Sequence, residues 1–462
     1  MKNFRGLVLS LSVILAVTAF SLVSPAKIGG VQLGRANLWQ DFMEYDDEAL
    51  SDVFEADFAD LYSKIASDGQ ESADTSAVTT FFWDADSLST GGVYRIAFLG
   101  DSFIEGDILT GDLREILQTE FGGGGVGFVP CELPFAIYRR TAKATGSGWG
   151  KYGIMKYKSV PENLQDAFLV SGYMDSGSAG AEMTWRRGEG YAHVDSSDVC
   201  RLFFRSPRGC SLEVSLGDGR SRTFDVRGAS GLRQIVAGTS SGTVSMKILS
   251  GSAVCYGASF ETSSGVHVDN FSVRSNNGYA IFRSNVSLNR QFSGMVGYDA
   301  VVLQYGLNIM RPDKSNYAGY QKQLEDMIRY AEASFPGSRI VVMGVSDRGL
   351  VRDGDTTFTS INSAPALSRH QKAAAANRGA LFWDTCGVME RLGGLVTFVG
   401  NGWIASDQVH FKFSGGKVLA AEMAGFWEEL IAGKIRESRK QILLERVDAD
   451  SSLVGTAERC SE

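Results

Sequence analysis

Residues 94–107 read YRIAFLGDSFIEGD, and this stretch limits the possible folds more than any other. Ile96-Ala97-Phe98-Leu99 is a continuous apolar run, the composition of a strand buried on both faces. The run stops at Gly100-Asp101-Ser102. Beyond it Ile108, Leu109, Leu113, Ile116 and Leu117 recur at spacings of one, three and four, which predicts a helix. A buried strand feeding a helix through a tight turn belongs to a layered α/β protein. There a serine hydroxyl can stand clear of the sheet, and a backbone N–H at a helix N-terminus favours developing negative charge. The same pattern also suits Asp101 or Ser102 as a plain N-cap.

The α/β texture returns at Val266. Strands are expected at 266–271, 299–305, 339–344 and 380–384, with helices at 317–334, 367–378 and 413–434. Strands alternating with helices imply a parallel, three-layer sheet, which binds ligands beyond the carboxyl ends of its strands. Ser102, Gly278 and Asn308 each follow such an end. Between the two α/β pieces the texture changes to short runs at 167–170, 201–204, 211–216, 244–249 and 254–260, separated by turns. These predict an all-β sandwich inserted in the α/β domain. The expected organisation is therefore a helical segment and linker at 27–90, a first α/β part at 91–137 and the insert at 138–265. A second α/β part follows at 266–440, then a flexible tail at 441–462. Within the first segment, Leu50, Val53, Phe54, Phe58, Leu61, Tyr62 and Ile65 form one helical stripe over 46–68.

The chain opens with Lys2 and Arg5, a mostly apolar run from Leu7 to Leu22, and small residues at Ser24-Pro25-Ala26. Residues 1–26 read as a signal peptide, which predicts an exported protein, periplasmic or secreted. The run approaches the roughly 18 residues that span a bilayer, so anchoring through an uncleaved segment is the one expected route to a membrane. The formal charge of −8, spread without blocks, argues against a nucleic-acid partner. Six cysteines (131, 200, 210, 255, 386, 460) show no CxxC spacing, and with four histidines in the chain a zinc site is not expected. Export permits disulfides, and Cys200 and Cys210 flank a turn at Ser206-Pro207-Arg208-Gly209 that they could staple, free buried cysteines being the plainer reading. The four glycines at 122–125 lack a following Gly-Lys-Ser/Thr, so they are no phosphate loop. They are expected to pack near an active-site floor.

A nucleophilic serine needs a base. His193 falls in the β region, His267 in a strand and His370 in a helix, where structural roles are expected. His410 lies in Ser406-Asp407-Gln408-Val409-His410-Phe411, just before the last helix. Asp407, three residues earlier, can turn back to the imidazole and leave its other nitrogen for Ser102. Three donors are candidates for an oxyanion hole: the N–H groups of Ser102 and Gly278, and the side-chain amide of Asn308. Taken singly, Gly278 and Asn308 also suit ordinary turns, and Asp407 a cap.

Taken together these pieces resemble a known family. Gly100-Asp101-Ser102, the glycine turn at Gly278, Gly306-Leu307-Asn308 and Asp407-Gln408-Val409-His410 resemble the four blocks of SGNH (GDSL-type) hydrolases, in order. The resemblance implies Ser102 as nucleophile, Asp407 and His410 completing a triad, and Gly278 and Asn308 as oxyanion donors, with no metal or cofactor. The stretch GDSFIEGDILTGDLREILQTEFGGGGVGFVP looks like the opening of bacterial peptidoglycan O-acetylesterases, which carry a carbohydrate-binding-like β-sandwich insert. That implies an acetylated glycan as substrate. Two departures are Phe103, where that subfamily tends to have histidine, and a looser second block at Ser275-Asn276-Asn277-Gly278. Related enzymes transfer acetyl groups to polysaccharides, and a glycan-binding protein with a vestigial site is the alternative of another class. Trp149, Tyr152, Tyr157, Tyr173, Trp185 and Tyr191 could stack on sugar rings or simply fill a core.

Overall fold

The computed structural model describes residues 27–28, 31–32, 78–84, 92–131, 139–188, 190–312, 314–351, 358–360 and 363–457. Two units divide the chain, Met1–Lys64 and Ile65–Glu462. Of the first, the described part is an antiparallel pair, Lys27–Ile28 with Val31–Gln32. The expected signal peptide at 1–26 and helical stripe at 46–68 lie outside the described residues.

The second unit contains a five-stranded parallel sheet. Its strands are β1 (Val93–Gly100), β2 (Gly265–Ser272), β3 (Ala300–Gln304), β4 (Arg339–Met343) and β5 (Leu381–Trp383). They lie in the order β2-β1-β3-β4-β5, parallel throughout. The helices are α1 (Thr110–Phe121), α2 (Val286–Val296), α3 (Ala318–Ser334), α4 (Ser363–Arg378) and α5 (Phe413–Ala457). α1 packs against α5, and α3 against both α2 and α4. Covering both faces is what makes apolar runs the right composition for β1 and β3. Phe98 of β1 meets Trp427 of α5, for example, with ring centroids 6.3 Å apart. The strand order reverses between β1 and β3, so the crevice for a ligand opens beyond their carboxyl ends.

A nine-stranded sheet surrounds a second core. The 19-residue strand Thr243–Glu261 is its spine, pairing with Cys210–Leu216 and Val199–Ser206 on one edge and Tyr173–Arg187 and Gly127–Pro130 on the other. Alternate residues point inward, as in Cys210–Leu216, and Trp185, Met183, Leu202, Phe204 and Phe260 fill the interior. Strands come from outside 138–265 as well: Gly127–Pro130, and Thr79–Trp83, which joins Ala229–Gly238 in parallel.

Buried charge joins the two sheets. Asp269 on β2 accepts hydrogen bonds from Phe128 N–H at 2.7 Å, Tyr298 Oη at 2.7 Å and Arg95 of β1 at 3.0 Å. Glu261, at the end of the long strand, is held between Arg95 and Arg201. Asp107, just before α1, accepts from Thr110 and Arg114 beside it, from Arg139 and Thr141 of the β region, and from Asn270 of β2. Such ions are tolerable inside a protein only when paired this fully.

Several expectations are corrected. Residues 167–170 form a buried turn rather than a strand; Tyr256 Oη donates to Ala167 O and Val170 N–H to Asn289 Oδ1. An apolar run reports burial, not conformation. The glycines at 122–125 lie at the amino end of β2, away from the crevice. A Cβ on Gly123 would fall 2.6 Å from Val266 N, so the chains touch there backbone to backbone. Cys200 and Cys210 are free thiols, because their strands both pair with Thr243–Glu261 instead of forming a hairpin. α5 continues to Ala457, so most of the expected tail is helix, starting from the helix-forming Leu443-Leu444-Glu445-Arg446. Among the described residues no helix is long and apolar enough to cross a membrane.

Candidate active site

The candidate site is built where β1 and β3 end. Gly100 closes β1 because a side chain there would sit 2.5 Å from Gln304 Oε1 and 2.8 Å from Ile104 Cδ1. That close approach lets Gln304, the last residue of β3, accept Asp101 N–H at 3.1 Å. Ser102 follows in a turn, with Glu105 N–H donating to Ser102 O at 3.3 Å. The expected helix does not begin here. Gly106 and Asp107 both take left-handed φ values, 68° and 64°, which limits the first turn to the short helix Glu105–Asp107. α1 starts at Thr110 with Leu109 as its cap. Ser102 is therefore neither a cap of α1 nor at its N-terminus.

The loop ahead of α5 supplies the base. Asp407 Oδ1 accepts the backbone N–H groups of Val409 and His410, each at 3.0 Å. This turn points Asp407 Oδ2 at His410 Nδ1, 2.6 Å away. Ionised carboxylate only accepts, so Nδ1 carries the proton and Nε2 is left as acceptor. Ser102 Oγ lies 3.0 Å from that Nε2. Residues 308 positions apart are thus within one hydrogen bond. His410 is lifted above its usual 6.5, chiefly by the hydrogen bond to Asp407, with burial and Arg274 pulling the other way. Burial pushes Asp407 up, but its hydrogen bonds to His410 and the two amides outweigh this and leave it at about 2. A hydroxyl, a neutral imidazole acceptor and a permanently ionised carboxylate in line can do nucleophilic acyl chemistry.

The other candidate donors also gather here, with partners of their own. Gly278 has φ 104°, and a Cβ there would lie 2.3 Å from Met327 Sδ. Its N–H donates to Asn276 Oδ1 at 2.8 Å. Asn308 Nδ2 donates to Asn276 O at 3.0 Å and to Asp101 Oδ2 at 3.2 Å. Ser102 N–H has no protein acceptor among the described residues. Asn276 is 1 % exposed, and it holds both remaining donors; sequence reasoning assigned it no role. Its signal was the spacing, since an Asn two residues before Gly278 can take that amide in an Asx turn. Asp101 was read from the sequence only as a possible N-cap. It is wholly buried, and desolvation raises it to about 7 against the opposing hydrogen bond from Phe103 N–H.

The remaining sequence candidates lie elsewhere. His193 Nδ1 is 2.9 Å from Glu115 Oε1, and His370 Nδ1 is 2.9 Å from Gln321 Oε1. His267 is buried in β2, and burial lowers it to about 4, so its ring stays neutral. Trp185 is core and donates to Pro130 O, while Trp149 packs on the same core. Tyr191 lines an open cleft. Among the described residues no cluster of His, Cys, Asp and Glu is suited to a metal.

No family model matches the chain, and no curated protein matches it. Solved structures do. That of a peptidoglycan O-acetylesterase is similar over 81% of this chain and 96% of its own, with 21% identity and a TM-score of 0.60. A lipase/acylhydrolase from Enterococcus faecalis aligns over 35% of this chain and 77% of its own, at 18% identity and a TM-score of 0.27. An acetyl xylan esterase aligns over 34% and 79%, at 15% identity and a TM-score of 0.25. Only the first carries weight. With a parallel β2-β1-β3-β4-β5 sheet between helical layers, and a serine, a histidine and an aspartate meeting beyond its carboxyl edge, the chain has the fold of an SGNH hydrolase.

Proposed function

We propose that the protein is an exported serine esterase that removes O-acetyl groups from a cell-wall glycan, peptidoglycan above others. The observation that carries this reading is the relay from Ser102 Oγ through His410 to Asp407, at 3.0 and 2.6 Å, in the fold of a peptidoglycan O-acetylesterase. Residues 1–26, read as a signal peptide, would deliver the enzyme to that polymer.

Ser102 Oγ attacks the acetyl carbonyl carbon while His410 Nε2 takes its proton. The carbonyl oxygen becomes an oxyanion. Ser102 N–H meets it directly, and the Gly278 and Asn308 amides turn from Asn276 to share it. Collapse breaks the bond to the sugar oxygen, which leaves with the proton from His410. Water then gives a proton to His410 and attacks the acetyl-serine, releasing acetate and restoring Ser102. Asp407 stays ionised throughout and holds the imidazolium.

Acetate release from O-acetylated peptidoglycan, set beside O-acetylated xylan, tests the reading. Release from peptidoglycan, lost in Ser102→Ala, is expected. Equal release by Ser102→Ala, or transfer of the acetyl group to an added sugar with no free acetate, would overturn it.

A further inference from the structure

A second cleft opens next to the proposed catalytic loop, between α1, the β region and the start of α5. Its volume is about 550 Å³, within the roughly 300–1,000 Å³ typical of ligand sites. Phe413 forms part of its wall and lies three residues beyond His410, so their Cα atoms are within about 11 Å. Two aromatic rings are held in place. The Arg140 guanidinium stacks on Phe413 with its carbon 3.5 Å from the ring centroid. Tyr191 lies on Gly111, where a Cβ would fall 2.8 Å from its Oη, and it donates to Asp112 Oδ2 at 3.2 Å.

The charges in this cleft are unequally committed. Glu115 is engaged by both His193 N–H and His193 Nδ1, and Asp112 by Tyr191. Arg140 and Lys417 are exposed and form no close ion pair among the described residues; both act at longer range on Asp112, the carboxylate that Tyr191 already holds. The buried or half-buried Arg95, Arg114, Arg139 and Arg201, by contrast, are each paired with a carboxylate at close range. Two exposed cations beside an aromatic wall, one of them stacked on that wall, suit a sugar ring that carries a carboxylate.

We propose that this cleft binds a carboxylate-bearing unit of the polymer, next to the acetylated sugar held at Ser102. The proposal rests on the esterase reading and deepens it. A cleft of this kind separates an acidic glycan such as peptidoglycan from a neutral acetylated one such as xylan. The carboxylate can belong to the sugar itself or to an attached peptide.

The test is co-sedimentation of the Ser102→Ala protein with insoluble O-acetylated peptidoglycan and with insoluble O-acetylated xylan. It needs no turnover, so it stands apart from acetate release by the wild type, which tests the esterase reading. The Arg140→Gln/Lys417→Gln change should cut the preference for peptidoglycan over xylan about ten-fold, as losing charge-assisted contacts implies. Raising salt from about 0.05 to about 0.5 M should erode the preference of the parent protein in the same direction. Peptidoglycan stripped of its peptides places the carboxylate: preference kept means the sugar, preference lost means the peptide. A folded double variant with the parent's preference would overturn the proposal. Should that variant not fold, a parent preference indifferent to salt would overturn it.

Discussion

Phe103 and Phe411 meet edge to face with ring centroids 4.9 Å apart. Each is the residue after one member of the proposed pair, Ser102 and His410. Both are buried, and Phe411 also meets Phe398 at 5.8 Å. The contact fastens the turn after β1 to the loop before α5. Apolar packing therefore occupies position 103, where the resembled esterases tend to carry histidine. Phe103→Ala should destabilise the fold by about 3–5 kcal/mol, as core aromatic truncations do. It should also lower kcat/KM for p-nitrophenyl acetate at least about ten-fold, since small displacements of reacting groups are costly. Urea unfolding and initial rates measure the two effects; Phe103→Leu should recover most of the rate.

The pH profile follows from His410. The imidazole must be neutral to accept the Ser102 proton. Because its pKa is raised, activity is present above that raised value and is lost as pH falls through it. The acid limb of kcat/KM should thus have its midpoint above 6.5. Arg274 pulls His410 down, so Arg274→Gln should move the limb to still higher pH. A limb that moves to lower pH would contradict the assigned electrostatics.

Asn308 joins three parts of the site through one amide, reaching Asp101 and Asn276 while facing the serine turn. Asn308→Ala should reduce kcat about 10²–10³-fold with a smaller change in KM, the pattern of a donor used in the transition state. Steady-state kinetics on p-nitrophenyl acetate separates the two constants.

Asp107 tests the joint between the two sheets. Burial raises its carboxyl, but Arg139 and Arg114 outweigh that and hold it well below the usual carboxylate range. A depressed native pKa adds stability above the unfolded value of about 4, lost as pH falls through the folded value. Asp107→Ala strands two buried guanidinium groups and should cost about 3–5 kcal/mol at neutral pH. Denaturant titration measures the loss, which should shrink at low pH.

The parallel sheet was legible because β1, β3 and β4 are apolar runs bounded by turn residues, and that pattern has few alternatives. That Ser102, Asp407 and His410 come together was legible for a different reason: few histidines compete, and Asp407 sits at the spacing a turn needs. The start of α1 was not legible, since left-handed Gly106 and Asp107 break a helix that side-chain periodicity alone would begin earlier. Nor was the turn at 167–170, whose burial comes from Tyr256 and Asn289, distant in sequence. Thr79–Trp83 was missed because its partner, Ala229–Gly238, lies some 150 residues away. The role of Asn276 was hidden because it acts on other donors.

The most direct measurement is mass spectrometry of the protein quenched with acid during turnover of p-nitrophenyl acetate. An acetyl group on the peptide containing Ser102, absent in Ser102→Ala and no longer formed at a comparable rate in His410→Ala, is the predicted result. Turnover that continues in Ser102→Ala, with no acetyl group on that peptide in the wild type, would contradict the account.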